Sequence, residues 1–306
     1  MKIVVTGGAG FIASQVVDAY VASGHEVLVV DDLSSGVRAN VNTHATLLTE
    51  DIRSERAANV VREFKPEALN LHAAQIDVRR SVTEPRRDLD TNVGGLLNLL
   101  DAARSGGALR RVVYAASGGS MYGDTSVIPT PETEPPAPVS PYGASKFTCE
   151  LYLSTWRALH GLHYVALRYS NVYGPRQNPH GEAGVVAIFA ERLLSGKSCT
   201  IYGDGGQTRD FVFSADVVKA NVKALDTAFC GGVNVATGVE STVTRVYEVL
   251  AKAVGVTTPA NFEPPRAGEQ RRSVLSNAKA KAELGWAPTY DLERGLAATI
   301  DWYRSR

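Results

Sequence analysis

The sequence predicts an α/β fold in which a doubly wound parallel sheet carries a smaller mixed α/β lobe. In the first half of the 306-residue chain, short β-branched runs alternate with longer helical patterns. A glycine-rich turn follows the first apolar run directly, as it does where a buried strand leads into a helix. After about residue 170 the alternation loosens, and loops rich in Gly and Pro appear at 174–184, 203–206 and 264–268.

The alternating half gives a set of candidate elements. We expect strands at 2–6, 26–30, 45–49, 68–72, 111–116 and 163–168. We expect helices at 11–23, 54–64, 87–105 and 143–160. Ligands of open parallel sheets bind beyond the carboxyl ends of the strands. Gly7, Asp31, Ala73 and Ser117 all fall at such ends, so we expect them to meet in one cleft.

The division of the chain is predicted to be discontinuous. Residues 1–170 would form a Rossmann-type domain, to which 211–236 returns because Phe211–Phe213 and Val233–Val235 are strand-like. Residues 171–210 and 237–306 would form the smaller lobe.

The glycine-rich turn indicates a dinucleotide. Gly7 allows the turn, and Gly10 lets the backbone approach a pyrophosphate at a helix amino terminus. Ala13 stands at the third position, where a small residue lets helix and strand pack closely. Asp31 ends the second strand, and a carboxylate there suits the ribose hydroxyls of NAD and repels the extra phosphate of NADP. The alternative is an ordinary βαβ unit in which Asp31 caps a loop.

A second motif indicates proton transfer coupled to hydride transfer. Tyr142 and Lys146 are about one helical turn apart and therefore share a helix face. A tyrosine has an unperturbed pKa of about 10, and a lysine ammonium beside it is expected to lower that pKa. Ser117 could hydrogen-bond the same substrate oxygen. These groups can take a proton from an alcohol while its carbon gives up hydride.

The composition limits the classes of binding partner and the cellular compartment that we expect. Lys and Arg together number 32, as do Asp and Glu, so nothing suggests binding to nucleic acid or to a membrane surface. The three cysteines are scattered, and we expect them to be reduced in a cytoplasmic protein. The six histidines show no metal-site spacing. The first strand begins at Lys2, so we expect no leader peptide, and no apolar run has the roughly 20 residues of a membrane span.

Several motifs together resemble one enzyme family. They are Thr6-Gly7-Gly8-Ala9-Gly10-Phe11-Ile12, Asp31, His72-Ala73-Ala74-Gln75, Asn92, Ser117, Tyr142-x-x-x-Lys146, Leu167-Arg168-Tyr169-Ser170-Asn171-Val172-Tyr173-Gly174-Pro175, Gly203-Asp204-Gly205-x-x-x-Arg209-Asp210-Phe211 and Glu283-Leu284-Gly285-Trp286. In this order they resemble the extended short-chain dehydrogenase/reductases that act on nucleotide sugars, and among these they are most similar to the C4 epimerases of UDP-hexoses. Ala13 departs from the family's usual glycine, and we expect NAD binding to survive this change.

The resemblance implies a role for each matching residue. The NAD set would be Gly7, Gly10, Phe11, Ile12, Asp31, Asp32, Ser34, Ser35, Gly36, Asp51, Ile52, Ala73, Ala74, Gln75, Asn92, Tyr142, Lys146 and Tyr169. Within it, the resemblance implies that Asp51 and Ile52 flank the adenine. It implies that Ala73, Ala74 and Gln75 line the nicotinamide half, that Asn92 supports them and that Tyr169 lies near the nicotinamide.

The UDP-sugar set would be Ser117, Tyr142, Asn171, Tyr202, Arg209, Arg266, Glu269 and Ser273. Within it, Asn171, Arg209 and Arg266 would bind the diphosphate, Tyr202 would contact the uracil and Glu269 the uridine ribose. From the residues alone, Tyr202 could equally be core, Asn171 a turn former, and both arginines surface charges.

The implied activity is inversion of C4 through a 4-keto sugar, with Ser117, Tyr142 and Lys146 as the catalytic residues. Related 4,6-dehydratases carry an Asp-Glu pair after the active hydroxyl residue, and UDP-glucuronate decarboxylases carry a glutamate in that stretch. This chain has Gly118-Gly119-Ser120-Met121 there, which disfavours both. An NAD-sensing protein without catalytic activity is a further alternative, disfavoured because the Tyr/Lys pair is present.

Two finer expectations concern specificity and assembly. Ser273 would wall the pocket near the sugar C2 substituent, and its small size would admit the N-acetyl group of UDP-GlcNAc or UDP-GalNAc. A homodimer would pair the helices near 87–105 and 143–160 across a two-fold axis. Their expected outward residues include Leu96, Leu100, Leu151 and Leu153, although the sequence cannot separate interface from core.

Overall fold

The computed structural model describes residues 1–180, 184–265 and 270–306. Its strands are β1 Lys2–Thr6, β2 Glu26–Asp31, β3 Thr46–Thr49, β4 Ala68–Leu71, β5 Arg111–Ser117, β6 His163–Tyr169, β7 Asn171–Tyr173, β8 Thr200–Tyr202, β9 Thr208–Arg209, β10 Phe211–Phe213, β11 Gly231–Val235, β12 Ser241–Thr242, β13 Asn261–Glu263 and β14 Arg272–Ser273. Its α-helices are α1 Phe11–Ala22, α2 Glu55–Phe64, α3 Val78–Thr83, α4 Pro85–Leu89, α5 Gly95–Ser105, α6 Gly118–Met121, α7 Pro141–His160, α8 Val185–Leu194, α9 Ser214–Leu225, α10 Val243–Val254, α11 Ala278–Leu284 and α12 Leu292–Arg304.

Seven parallel strands form the main sheet in the order β11-β6-β5-β4-β1-β2-β3. This is the doubly wound order 3-2-1-4-5-6 with one strand added beside β6, which confirms the predicted Rossmann-type class. The strand order runs outward from β1 in both directions, through β2 on one side and β4 on the other. The carboxyl ends of β1, β2 and β4 therefore open onto one crevice. Apolar clusters cover both faces of the sheet and form its core.

The six predicted strands of this sheet agree with the structure to within one residue at either end. The helix predicted over 87–105 is present as a continuous helical stretch from Pro85 to Ser105, which contains an unpredicted π-helical turn. Pro85 at the first helical position begins α4, a π-helical turn spans Asp90–Gly94, and α5 follows. The helix predicted over 143–160 begins at Pro141 because Ser140 Oγ caps it by accepting from the Gly143 N–H at 3.1 Å.

The smaller lobe has its own apolar cluster, formed mainly by α8, α10 and α12. Short strand pairs join it to the main sheet region. Parallel β7 and β10 pair Asn171 with Phe211, and β9 lies between β12 and β14 with Arg209 beside Ser273. β11 lies in the main sheet and α9 packs against α1, whereas β8 and β9 lie outside the sheet. We therefore keep the discontinuous division as a proposal, with 1–170 and 211–236 in one domain, although β10 itself pairs with β7 outside the main sheet.

The leucines expected to face outward need a correction. Leu96, Leu100 and Leu153 are core residues with at most 4% exposure, whereas Leu151 is 53% exposed. The helical pattern marks the apolar residues and does not say which of two apolar faces meets the sheet. Within the described ranges, no helix is both long and apolar enough to cross a bilayer.

Candidate active site

The turn between β1 and α1 is shaped for close approach of a ligand. Gly7 has a φ of +68°, and a Cβ on it would lie 2.9 Å from the Ala73 nitrogen. Gly10 is the N-cap of α1 and has no side chain to occupy the free N–H groups of the first turn. Phe11 and Ile12 form that turn. Ala13 is buried against the sheet, where its small side chain fits. The turn therefore offers unobstructed backbone donors and partial positive charge to a pyrophosphate.

The predicted ribose carboxylate lies beside this turn. Asp31 Oδ2 accepts from the Ala9 N–H at 2.9 Å, and Oδ1 accepts from the Leu33 N–H at 2.8 Å. Burial raises the pKa of Asp31, and the two N–H bonds oppose that rise. A Cβ on Gly36 would lie 2.7 Å from Oδ1, so glycine leaves this carboxylate room. The loop holding Asp32, Ser34, Ser35 and Gly36 follows directly.

The predicted adenine residues lie at the end of β3. The Asp51 carboxylate pairs with the Arg53 guanidinium through hydrogen bonds of 3.1 Å or less. These bonds hold the pKa of Asp51 below its usual range. The Ile52 side chain is largely buried and packs against Gly95.

The predicted nicotinamide residues lie at the carboxyl end of β4. Thr6 Oγ1 accepts from the N–H groups of His72 and Ala73, both at 3.0 Å, and so fixes the strand end next to the glycine turn. Asn92, in the π turn, holds the following segment: its Oδ1 accepts from the Gln75 N–H at 2.8 Å and its Nδ2 donates to the Gln75 carbonyl at 3.2 Å. Ala74 lies between these two anchored positions.

Ser117, Tyr142 and Lys146 converge at the carboxyl end of β5. Ser117 ends that strand, and its hydroxyl is close enough to Tyr142 to lower the pKa of the phenol. Lys146 is buried one turn further along α7; its Nζ donates to the Ala115 carbonyl at 3.0 Å and lies 5.9 Å from the centre of the Tyr142 ring. The geometry suits a hydroxyl-bearing substrate placed over Ser117 and Tyr142.

The expectation that Lys146 lowers the pKa of Tyr142 is wrong for the chain by itself. Burial raises the pKa of Tyr142 to about 12, opposed by the Ser117 hydrogen bond. Burial also lowers the pKa of Lys146 to about 8. Sequence spacing gives the shared helix face but does not reveal that both groups are desolvated, and desolvation is the larger effect here.

A cavity of about 190 Å³ lies in the lobe, between β7, β9 and the start of α8. Asn171 and Arg209, which the resemblance implies as diphosphate ligands, both line it. Ser273 pairs with Arg209 in the parallel β9–β14 register, so the predicted sugar-wall residue lies beside the predicted diphosphate cation. Tyr202 ends β8 and is half-buried.

The remaining three predicted site residues are Arg266, Glu269 and Tyr169. Arg266 and Glu269 lie outside the described residues. The Tyr169 ring is buried, and its hydroxyl interacts with His72 Nε2 at 3.1 Å and Asn221 Nδ2 at 2.8 Å. Any contact of Tyr169 with a nicotinamide would therefore come from its backbone.

Sequence reasoning missed two features of the lobe cavity. α8 begins there with Gly184 as its N-cap, which leaves the first-turn N–H groups open to an anion. Gln177 also lines the cavity, and its Oε1 is buried without a hydrogen-bond partner among the described residues. The glycine before an apolar helical run was a usable signal for α8. Gln177 follows no spacing rule.

Comparison with known proteins identifies the family. Residues 3–236 match the NAD dependent epimerase/dehydratase family, and the chain belongs to it. A UDP-glucose 4-epimerase of Mycolicibacterium smegmatis is 45% identical over 312 residues, covering 100% of this chain and 99% of the relative.

Two solved structures extend this similarity. A UDP-glucose 4-epimerase of Thermotoga maritima, solved with UDP-glucose, is 44% identical with a TM-score of 0.97, covering 100% of this chain and 99% of that chain. A UDP-N-acetylglucosamine 4-epimerase of Methanobrevibacter ruminantium, solved with UDP-N-acetylmuramic acid, is 33% identical with a TM-score of 0.94, covering 99% and 98%.

Proposed function

We propose that this chain is an NAD-dependent isomerase that inverts C4 of a UDP-hexose, interconverting UDP-galactose and UDP-glucose through a 4-keto sugar. The observation that carries the proposal is the Ser117–Tyr142–Lys146 group at the edge of the main sheet, together with the lobe cavity lined by Asn171 and Arg209. Full-length similarity to UDP-glucose 4-epimerases supports the same activity.

The residues present fit NAD. The open turn at Gly7 and Gly10 would hold the pyrophosphate, Asp31 the adenosine ribose, and Lys146 the nicotinamide ribose. Bound NAD would supply the hydride acceptor and, later, the hydride donor, and its positive ring would favour the Tyr142 phenolate. This last contribution matters because Tyr142 in the chain by itself has a pKa of about 12.

The chain's own residues manage the proton and the orientation of the sugar. Tyr142 takes the proton of the C4 hydroxyl as the C4–H bond breaks, and it returns the proton after the sugar has turned its other face. Ser117 hydrogen-bonds the same oxygen throughout, and the Lys146 ammonium stabilises the phenolate. Arg209, Asn171 and the amino terminus of α8 hold the diphosphate, so the sugar can rotate without leaving.

A dehydratase activity fits this site poorly. Elimination of water needs further acid and base groups beside the hydroxyl residue. A Cβ on Gly118 would lie 2.3 Å from Leu275 Cδ1, so a longer side chain there would displace its neighbours. The N-acetyl sugars are a natural extension of the substrate range, because Ser273 is small and lies beside Arg209.

A homodimer accompanies the proposal. Leu89 of α4 and Leu151 and Leu159 of α7 are 50%, 53% and 68% exposed, and these two helices pack side by side. A second copy that brings its own α4 and α7 to this face would cover these leucines. Sedimentation that shows a monomer at micromolar concentration would refute the dimer. The three free thiols suit a reducing, cytoplasmic location.

Proton NMR of the purified protein with UDP-galactose, without added NAD, tests the function. We expect UDP-glucose to accumulate, because tightly held NAD would co-purify. Tyr142→Phe should slow conversion by about 10³-fold while NAD content stays at the wild-type level. Absence of conversion even with added NAD, or conversion by Tyr142→Phe within a few-fold of wild type, would refute the proposal.

A further inference from the structure

A buried carboxylate beside the catalytic helix has no part in the mechanism above. Asp88 lies in α4 and is 0% exposed. Its Oδ1 accepts from Gln75 Nε2 at 3.0 Å and from Asn92 Nδ2 at 3.2 Å. Its Oδ2 is buried and, across the described part of the chain, has no hydrogen-bond partner. Burial of a carboxylate with so few donors is costly, so its charge calls for a role.

A chain of hydrogen bonds connects Asp88 with the residue proposed as acid and base. Asn92 Nδ2 has two hydrogens and three acceptors within reach, so one hydrogen is shared: the acceptors are Ser145 Oγ at 3.0 Å, Asp88 Oδ1 at 3.2 Å and the Gln75 carbonyl at 3.2 Å. Ser145 Oγ in turn donates to the Tyr142 carbonyl at 3.0 Å. The first turn of α7 is thus tied to α4 by buried side chains. Displacement of Asp88 would be felt at Tyr142 through two intervening residues.

The charged and titratable groups around Asp88 give its carboxylate an electrostatic effect. On α7 its negative charge raises the pKa of Lys146, although burial, which lowers that pKa to about 8, is the larger effect. It also adds to the burial that raises the pKa of Tyr142. Cys149 acts on Lys146 as well, but burial raises the pKa of its thiol, so at neutral pH it is uncharged.

The other titratable groups around Asp88 and Lys146 that follow here do not supply the negative charge that Asp88 supplies. Burial lowers the pKa of His72 to about 3, which leaves its ring neutral. Burial raises the pKa of Tyr114, whose ring centre lies 5.1 Å from Lys146 Nζ. On the solvent side, Arg80 of α3 and Arg87 of α4 pair with the exposed Glu84. Asp77 caps α3 by accepting from the Arg80 N–H at 2.8 Å.

We propose that Asp88 is a positioning residue for the proposed epimerase reaction: its carboxylate fixes the first turn of α7 through Asn92 and Ser145, and it places a buried negative charge on α4, the helix that packs against α7. This inference rests on the proposed function. Asp88→Asn preserves an acceptor for Gln75 and Asn92 but removes the charge. Asp88→Ala removes both.

The pH dependence of kcat distinguishes an electrostatic role of the Asp88 carboxylate from a purely structural one. In the NAD-loaded enzyme, in which the positive ring of the cofactor would lower the pKa of Tyr142 below that of Lys146, the rising limb reports formation of the Tyr142 phenolate and the falling limb reports loss of the Lys146 proton. In Asp88→Asn both limbs should move to lower pH, by about one unit, because a nearby negative charge disfavours the phenolate and favours the ammonium. Asp90→Asn, two residues away and exposed, is the matched control and should leave both limbs in place. A purely structural role would reduce kcat without moving either limb.

A second measurement needs no turnover. Ultraviolet difference titration of the NAD-loaded protein, with Tyr142→Phe as the blank, follows the Tyr142 phenolate directly. Asp88→Asn should lower this midpoint, and Asp88→Ala should add a fall in kcat beyond that of Asp88→Asn. Unmoved limbs and an unmoved midpoint in Asp88→Asn would overturn the inference. Two results together would leave the role of Asp88 intact and refute the proposed function: a lower midpoint in Asp88→Asn than in the wild type, and a wild-type protein that converts no UDP-sugar.

Discussion

The cofactor cleft and the lobe cavity are built in opposite ways. Gly7, Gly10 and Asp31 come from one βαβ unit, and short-range backbone geometry determines where each of them lies. Asn171, Arg209 and Ser273 come from segments far apart in the chain and meet only through the β7–β10 and β9–β14 pairings. A local motif can therefore be altered at one residue with a local result, whereas the lobe depends on strand register.

The largest expected effect is on the cofactor side, at Gly7. Gly7→Ala would force a φ of +68° on an L-residue, at about 1–2 kcal/mol, and would place a Cβ 2.9 Å from the Ala73 nitrogen. We expect the purified variant to lose its bound NAD and its turnover with every sugar. Nucleotide release on denaturation, quantified by chromatography, measures the loss.

Gly24 provides the matched control for Gly7. Its φ is +78°, but among the described residues a Cβ on it would meet nothing within 4 Å. Gly24→Ala should therefore carry the same backbone cost and keep its NAD. Equal NAD content in the two variants would show that close approach at Gly7 is unimportant for binding.

The next effect is confined to one class of sugar. Ser273→Tyr should abolish turnover of UDP-GlcNAc and UDP-GalNAc while UDP-galactose turnover and NAD content remain, because only the N-acetyl group needs the space near C2. The NMR time course with each sugar measures this selectivity. Failure of the wild type to convert either N-acetylated sugar, or their continued conversion by Ser273→Tyr, would contradict the open-pocket hypothesis.

A smaller effect is expected at Arg209. Arg209→Lys keeps the charge but cannot make the paired hydrogen bonds of a guanidinium to a diphosphate. We expect KM for UDP-galactose to rise about 10- to 100-fold with kcat little changed, since loss of one charge-assisted hydrogen bond costs about 1.5–3 kcal/mol. Arg245→Lys, at an exposed ion pair with Glu293, should leave KM unchanged. A fall in kcat alone would place Arg209 in another role.

The sequence was informative where local chemistry determines structure. Short β-branched runs that alternate with helical patterns predicted the strands of the main sheet, and glycine spacing predicted the turn at Gly7. The π turn at Asp90–Gly94 escaped prediction because the apolar pattern continues through it, and the pKa of Tyr142 escaped because it depends on tertiary burial. The contact of Asn171 and Arg209 with one cavity was inferred only from resemblance, since no spacing along the chain indicates it.

The smallest expected effect is on the pH dependence of stability and concerns His72, which directly follows β4 beneath the cofactor cleft. Burial lowers the pKa of His72 to about 3, with the Lys146 charge adding to the effect. Because an unfolded histidine has a pKa of about 6.5, the unfolded chain takes up the proton first as pH falls. Protonation of His72 therefore has no effect on the free energy of unfolding above about pH 6.5. Between about pH 6.5 and about pH 3 it lowers that free energy as the pH falls, by at most about 1.4 kcal/mol per pH unit.

Urea unfolding at a series of pH values from neutral to mildly acidic measures this dependence. His72→Gln cannot gain a proton, so its free energy of unfolding should fall less steeply with acidification than that of the wild type, even if it is lower at pH 7. His163→Gln, at the exposed start of β6, should retain the wild-type slope. Identical slopes for His72→Gln and the wild type would mean that His72 accepts a proton inside the folded core. The hydrogen bonds from His72 to Asn70 and Tyr169 would then have to rearrange beneath the cofactor cleft while the lobe cavity stayed as it is.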